Sequence, residues 1–251
     1  MCELLAMSAN VPTDIRFSFS GLAARGGGVG PHRDGFGIVF YHGKGIQEFR
    51  DVDASCNSPV ARLVERLPIR SKAVVAHVRQ ANAGAINLEN THPFHRELHG
   101  RNFTFAHNGQ LPGVKKLPLG RFKPVGTTDS EHAFCYLLSQ LDGNTAPRPA
   151  RIRAVFGRVA KHLSRFGVCN LILTDGRAIY CWRTTKLVSI TRRAPFGAAR
   201  LQDADMTVDF AQVTTENDVV SVIATDPLTD NEDWDEIPKN QVCVLVDGEW
   251  K

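Results

Sequence analysis

Residues 169–182, Cys-Asn-Leu-Ile-Leu-Thr-Asp-Gly-Arg-Ala-Ile-Tyr-Cys-Trp, decide the fold class. Two short apolar runs, Cys169–Thr174 and Ala178–Trp182, flank Asp175-Gly176, a pair that accepts positive φ and turns one strand directly into an antiparallel neighbour. A parallel pair would instead need a crossover of a dozen residues or more. Upstream lie two consecutive helical patterns. Thr127-Thr128-Asp129-Ser130-Glu131 opens one that runs to about Leu141. The other covers 150–166, with Ile152, Val155, Phe156, Val159 and Leu163 on one face and Pro147 and Pro149 before it. Further strands are predicted at Cys2–Met7, Gly35–Tyr41, Ala73–Val78, Asn102–Ala106, Val219–Thr225 and Gln241–Val246, with a last hairpin turned at Asp247-Gly248. A helix is expected over Asp14–Arg25, capped by Thr13 or Asp14 and ended by Gly26-Gly27-Gly28. Another starts at Pro59 behind Asn57 or Ser58, with Val60, Leu63, Val64 and Leu67 on one face. Strand runs interrupted by paired helices predict an α+β fold of antiparallel sheets with segregated helices. No linker divides the chain.

The 251 residues are 43% hydrophobic and 22% charged, enough for a packed core without disulfide or metal staples and unlike a disordered chain, a coiled coil or a collagen. No apolar run approaches the roughly 20 residues of a membrane span. The start lacks the basic region and apolar core of a signal peptide, so a cytoplasmic protein is expected. Cysteines stand at 2, 56, 135, 169, 181 and 243 with no Cys-x-x-Cys pair. That excludes zinc-ribbon and thioredoxin readings, and no disulfide framework is expected. Between Gly143 and Thr174 every charge is basic; between Leu201 and Pro238 every charge is acidic. The two segments are expected to fold against each other and neutralise. No aromatic-rich motif accompanies the basic stripe, so neither a nucleic-acid nor a membrane partner is expected.

Four short segments could carry chemistry. A small residue after the initiator methionine permits its removal, which would start the chain at Cys2. An α-amine with a pKa of about 7.7–8.0 would then sit beside a thiol as a usable general base; the plain alternative is an ordinary residue beside a start codon. His107-Asn108-Gly109 follows a β-rich run. It is either a turn or an oxyanion hole in which the Asn108 amide and the Gly109 N–H converge. Arg79, in Ala76-His77-Val78-Arg79-Gln80-Ala81 ahead of Asn82-Ala83-Gly84, ends a buried strand. It suits either a structural ion pair or a bidentate ligand carboxylate. Asp129 either caps its helix or binds an ammonium. Together these would grip and cleave a glutamine-like γ-amide. The run Gly26-Gly27-Gly28-Val29-Gly30 fails the dinucleotide and P-loop spacings and is read as a flexible loop over the site. His92, His95 and His99 have metal-like spacing, but Pro93 breaks the helix that would align them; no metal is assigned, and the three are read as satisfied loop histidines.

With Met1-Cys2, Arg33-Asp34-Gly35-Phe36-Gly37, His77-Val78-Arg79, Asn90-Thr91-His92-Pro93, His107-Asn108-Gly109 and Thr128-Asp129-Ser130-Glu131 in this order, the chain resembles the class II glutamine amidotransferases, N-terminal nucleophile hydrolases. Within them it resembles the stand-alone, YafJ-type branch. The motifs fit the family's glutaminase domain from residue 2 to about 135. The resemblance implies a four-layer αββα sandwich of two antiparallel sheets, with residues 2–251 as one type-2 domain. It implies Cys2 as nucleophile with its amine as base, Asn108 and Gly109 as oxyanion hole, Arg79 on the substrate α-carboxylate and Asp129 on its α-amine. L-glutamine or a γ-glutamyl compound would be the substrate, with no cofactor. Gln80 departs from the Trp usual in members that feed a sugar-phosphate synthase, and with no second catalytic domain expected, an ammonia acceptor would be a separate synthase. A γ-glutamyl hydrolase of a glutathione-like compound and a catalytically inactive interaction module are the alternatives. Retention of Cys2, Asn108 and Gly109 speaks against the second.

Overall fold

The computed structural model describes residues 2–81 and 84–251; Met1 of the Met1-Cys2 motif and Asn82-Ala83 lie outside the described residues. In chain order the elements are β1 (Glu3–Asp14), α1 (Arg16–Arg25), β2 (Phe36–His42), β3 (Gly45–Asp51), α2 (Pro59–Arg66), β4 (Arg70–Val78), β5 (Phe94–Leu98), β6 (Arg101–Gln110), α3 (Asp129–Leu141), α4 (Pro149–Leu163), β7 (Val168–Thr174), β8 (Ile179–Trp182), β9 (Val188–Arg193), β10 (Ala198–Arg200), β11 (Thr207–Asp209), β12 (Val219–Ala224), β13 (Asp235–Glu236), β14 (Cys243–Val246) and β15 (Glu249–Trp250). Sheet one has the order β13-β9-β12-β1-β4-β2-β3 and sheet two the order β15-β14-β8-β7-β6-β5, with β10-β11 as a separate ribbon. Every pairing named within these sheets is antiparallel.

Strands buried on both faces explain the continuous apolar runs. In β1, Leu4 and Ala6 join Val75, Ala106, Ile172 and Ile223 in a layer between the sheets. The alternate residues Leu5 and Met7 pack with Phe19 and Leu22 of α1 and Val64 of α2. On the far side Phe103, Phe105, Leu171 and Leu173 of sheet two meet Phe134, Leu138, Phe156 and Leu163 of α3 and α4. The period of two along each strand sends successive side chains to opposite faces, which stacks the molecule as helices, sheet one, sheet two, helices. This is the expected α+β sandwich.

Local signals hold with adjustments. Asp175 Oδ1 accepts from the N–H of Arg177 and Ala178 (3.1 and 3.3 Å) and closes the β7-β8 turn. Asp247 and Gly248, at φ 49° and 78°, join β14 to β15. Ser58 caps α2 by accepting from Val60 and Ala61, and Thr128 caps α3 by accepting from Glu131. The start of α1 is shifted: Ile15 holds the cap position without a side-chain bond, while Asp14 accepts from Arg16 N–H at 2.9 Å. Leu63 is 48% exposed, so α2 buries Ala61 and Val64 instead. The polar hairpin partner β3 and the short β9 to β11 carry no apolar run and were not expected.

Two expectations are overturned. The acidic segment pairs with Arg25, Arg183, Lys186, Arg192 and Arg200. Among the described residues no ion pair joins it to the basic face of α4, because that face lies on the outer helix layer of sheet two. The glycine run is a closely packed turn rather than a flexible loop: the N–H groups of Gly26, Gly27, Gly28 and Val29 bond back to Ala23, Arg25 and Ala24 carbonyls. Among the described residues, no helix is long and apolar enough to cross a membrane.

Candidate active site

The register of sheet one positions the candidate nucleophile. Glu3 of β1 faces Val78 of β4, so one step further Cys2 stands opposite Arg79. The Cys2 thiol donates to the Gln80 carbonyl (3.5 Å) and its sulfur accepts the Gln80 N–H (3.3 Å). A second strand braces this corner from the other side: Arg79 N–H donates to Gly35 O and Asp34 N–H to Arg79 O (2.8 and 3.1 Å). Asp34 Oδ2 accepts the Ala81 N–H at 2.6 Å. The Arg33-Asp34-Gly35 motif therefore shapes the backbone that holds Cys2 and Arg79.

Sheet two supplies Asn108 and Gly109 from within β6, not from a turn. Asn108 is fully buried; its Nδ2 donates to Thr225 Oγ1 (3.3 Å), and that same oxygen accepts the N–H of Leu4, two residues from Cys2 (2.8 Å). Thr225 thus ties the two sheets together at the site, a role no local signal at the end of β12 announces. Asn108 Oδ1 has no partner among the described residues. Gly109 sits at φ 152°, where a Cβ would lie 1.9 Å from Val168 O, so only glycine permits the β6-β7 pairing here. His107 joins this strand to α3. Its Nε2 faces Val168 O at 3.1 Å and its Nδ1 the Ser130 hydroxyl at 2.8 Å, which assigns a neutral ring donating from Nε2 to the carbonyl. Burial lowers its pKa, and the charge of Asp129 opposes that only in part.

Asp129 opens a cavity of about 420 Å³ lined by Gly84, Gln110, Leu111, Gly113, Lys115 and Thr127. Its carboxylate is aimed by backbone: Oδ2 accepts from Leu111 N–H (2.7 Å) and Oδ1 from Ser130 N–H (2.9 Å). A carboxylate has lone pairs left after two such bonds. Arg79 does not line this cavity but neighbours its Gly84 wall, where a Cβ would stand 3.6 Å from Arg79 Nη2. Arg79 is buried and its Nη1 donates to Ala85 O at 3.2 Å. Asn90 staples the wall by accepting from Thr127 N–H (2.7 Å) and donating to Ala85 O (3.1 Å). That is the structural content of the Asn90-Thr91-His92-Pro93 motif. The three histidines diverge: His92 stacks on His77 with ring centroids 4.3 Å apart, His95, which lies in β5 and not in a loop, faces Glu48, and His99 faces Asp142. The reading of satisfied histidines fails for His92, whose two ring nitrogens are buried with no hydrogen-bond partner among the described residues, and for His99, whose buried Nε2 has none either.

The electrostatics separate the groups. Burial raises the Cys2 thiol, and the Gln80 bond and the Arg79 charge offset this only partly. Glu3, next along the chain, is pushed up to about 7 by burial, which Arg25, donating to it at 3.1 Å, offsets only in part. Burial pushes His77 down to about 3. The thiol is therefore protonated at neutral pH and needs a base to become a nucleophile.

The profile of the class II glutamine amidotransferases matches residues 1–251. "Putative glutamine amidotransferase YafJ" of Escherichia coli (strain K12) is 56% identical over 254 residues, covering 100% of this chain and 96% of that protein. The crystal structure of a "predicted glutamine amidotransferase" from Pseudomonas aeruginosa PA01 superposes with a TM-score of 0.79 at 50% identity, covering 99% of both chains. A structure described as the allosteric regulatory enzyme of purine biosynthesis shares the fold at 14% identity and TM-score 0.65, over 48% of its own length. A profile spanning the whole chain and a full-length relative at this identity leave one assignment: the chain belongs to the class II glutamine amidotransferases.

Proposed function

We propose that the protein hydrolyses the γ-amide of L-glutamine through a thioester on Cys2, within a single type-2 domain spanning residues 2–251. The observation that carries this reading is the placement of two opposite charges, Asp129 lining the cavity and Arg79 behind its Gly84 wall and beside Cys2, as the ammonium and carboxylate of one amino acid require. With Met1 removed, the Cys2 amine takes the thiol proton, as a thiol kept protonated by its burial requires. Sulfur attacks the amide carbon. The free N–H of the Asn108 amide and the Gly109 N–H receive the oxyanion. The protonated amine then delivers its proton to the departing ammonia, and water hydrolyses the thioester. The ammonia passes to a separate synthase or to solvent.

The grip on the γ-glutamyl half would serve equally for a γ-glutamyl thiol conjugate. Comparing kcat/KM for L-glutamine, glutathione and γ-glutamyl thiol conjugates tests the substrate. Glutamine is expected to be favoured. A preference for a γ-glutamyl peptide beyond about a hundredfold, roughly 2.7 kcal/mol of transition-state discrimination, replaces this reading with the γ-glutamyl hydrolase. Turnover of none of them leaves an inactive interaction module.

A further inference from the structure

We propose that Cys181 and Cys243 form a redox modification site: a thiol pair that peroxide converts, within the native fold, into a disulfide across β8 and β14. The two residues are directly opposite in the antiparallel register. Such residues project to the same face with Cα atoms about 4.5–5.5 Å apart, inside the roughly 4.4–6.8 Å that a disulfide spans. Both thiols are free and both face the layer between the sheets. Cys181 Sγ already leans across the strands, donating to Cys243 O at 3.6 Å. The register thus places the two side chains as cross-strand neighbours on one face.

The two partners are unequal in the way a disulfide-forming pair requires. Cys181 is fully buried. Cys243 is half-buried and lines a cavity of about 330 Å³ with Pro238, Gln241, Val242 and Trp250, wide enough for a small oxidant. The neighbouring Cys181 thiol and the Arg153 charge pull the Cys243 thiol down, while the same pairing and burial raise Cys181. The other core thiols differ: burial pushes Cys135 up to about 11 and Cys169 up to about 12. Thiolate character and access together select the oxidised cysteine.

The reaction balances with hydrogen peroxide as oxidant. The Cys243 thiolate attacks a peroxide oxygen; an S–O bond forms, the O–O bond breaks, and the released hydroxide takes a proton to become water. The Cys181 thiol gives up its proton and attacks the Cys243 sulfenic sulfur; the S–S bond forms, the S–O bond breaks, and a second water leaves. Two thiols are oxidised by two electrons and peroxide is reduced to two waters. The pair lies two strands from β6, through Ile172 opposite Cys181 and Ala106 opposite Ile172. The site is therefore separate from the catalytic thiol and does not depend on the substrate assignment.

The test is a non-reducing tryptic map of the full chain after hydrogen peroxide treatment. Cleavage releases Ala178–Arg183 with Cys181 and Asn240–Lys251 with Cys243. The expected product is these two peptides joined within one chain and separated again by dithiothreitol. It is expected also in Cys2→Ala, which removes the competing thiol. Cys181→Ser should abolish the linked peptide and leave Cys243 as a sulfenic acid that dimedone traps. In the untreated chain, iodoacetamide at pH 7 should label Cys243 at least about tenfold faster than Cys135 or Cys169. Three results overturn the proposal: oxidation of Cys243 while Cys181 stays alkylatable in the wild type, a linkage between chains instead of within one, or labelling of Cys243 no faster than the other core thiols.

Discussion

At the end of sheet one, Cys2, Glu3, Arg25, Arg79 and Asp34 crowd ionisable groups into a buried corner. At the facing end of sheet two, His107, Asn108 and Gly109 are neutral, and His107 and Asn108 are tied by hydrogen bonds to Ser130 of α3 and to Thr225 after β12. The difference follows the chemistry. The proposed nucleophile must exchange a proton, so its surroundings carry charge and move pKa values. An oxyanion hole must present fixed dipoles and lose nothing to reorganisation, so its residues are uncharged, buried and locked by backbone pairing. One half should therefore respond to pH and charge substitution, the other to geometry.

Cys2→Ala should show the largest effect and sharpen the contrast. It is expected to cut glutamine turnover by about 10⁴-fold or more while thermal unfolding stays near the wild type, because Cys2 contributes no core packing. Retention of substantial activity, or an intact Met1 in active enzyme, breaks the assignment. On the neutral half, Asn108→Ala should lower kcat by about 10²–10³-fold, or 2.7–4 kcal/mol, with the pH profile unmoved. Gly109→Ala should instead lose the fold at this point, because its Cβ would lie 1.9 Å from Val168 O. Urea midpoints of the two variants separate the outcomes. Arg79→Lys should raise KM for glutamine by about tenfold or more, since a point ammonium does not replace a two-donor fork. Equal turnover of N-acetylglutamine and glutamine would remove Asp129 from amine binding.

The smallest effect tests the charged half through stability. Glu3 has a folded pKa near 7 against 4.5 for the free group. An acid whose pKa is raised holds its proton better in the native state. Its contribution is complete below about 4.5 and is lost as pH rises through 7. The unfolding free energy of wild type minus Glu3→Gln should therefore fall by about 2 kcal/mol between pH 5 and pH 8. His77, held near 3, acts in the opposite sense: its contribution is present above 6.5 and is lost as pH falls towards 3. The subtraction removes it. A difference that grows with pH would mean that Arg25 holds Glu3 as the anion and that burial is the lesser force.

Much of the candidate site could be read in advance because its residues sit in short motifs whose local roles are strong. Thr128 and Ser58 cap, Asp175-Gly176 turns, and His107-Asn108-Gly109 ends an apolar run; each depends on neighbours within a few positions. Readings that needed a distant partner did less well. The long acidic and basic segments suggested mutual neutralisation, yet the acidic one pairs with arginines and a lysine elsewhere, because composition carries no information about which layer a segment occupies. The glycine run looked mobile, yet its amides bond back into α1.

The residue chemistry alone determined an α+β chain and supplied a thiol, an amide, a guanidinium and a carboxylate for the proposed γ-amide cleavage. Tertiary structure decided how they meet. The β1-β4 register sets Cys2 against Gln80, 78 residues away, and Thr225 bridges Leu4 and Asn108 across separations of 221 and 117 residues. It also set Cys181 opposite Cys243. The physical reason is that strand register is a collective choice. It is made by burying two faces of every strand at once, so no local stretch records which distant residue will stand across from it.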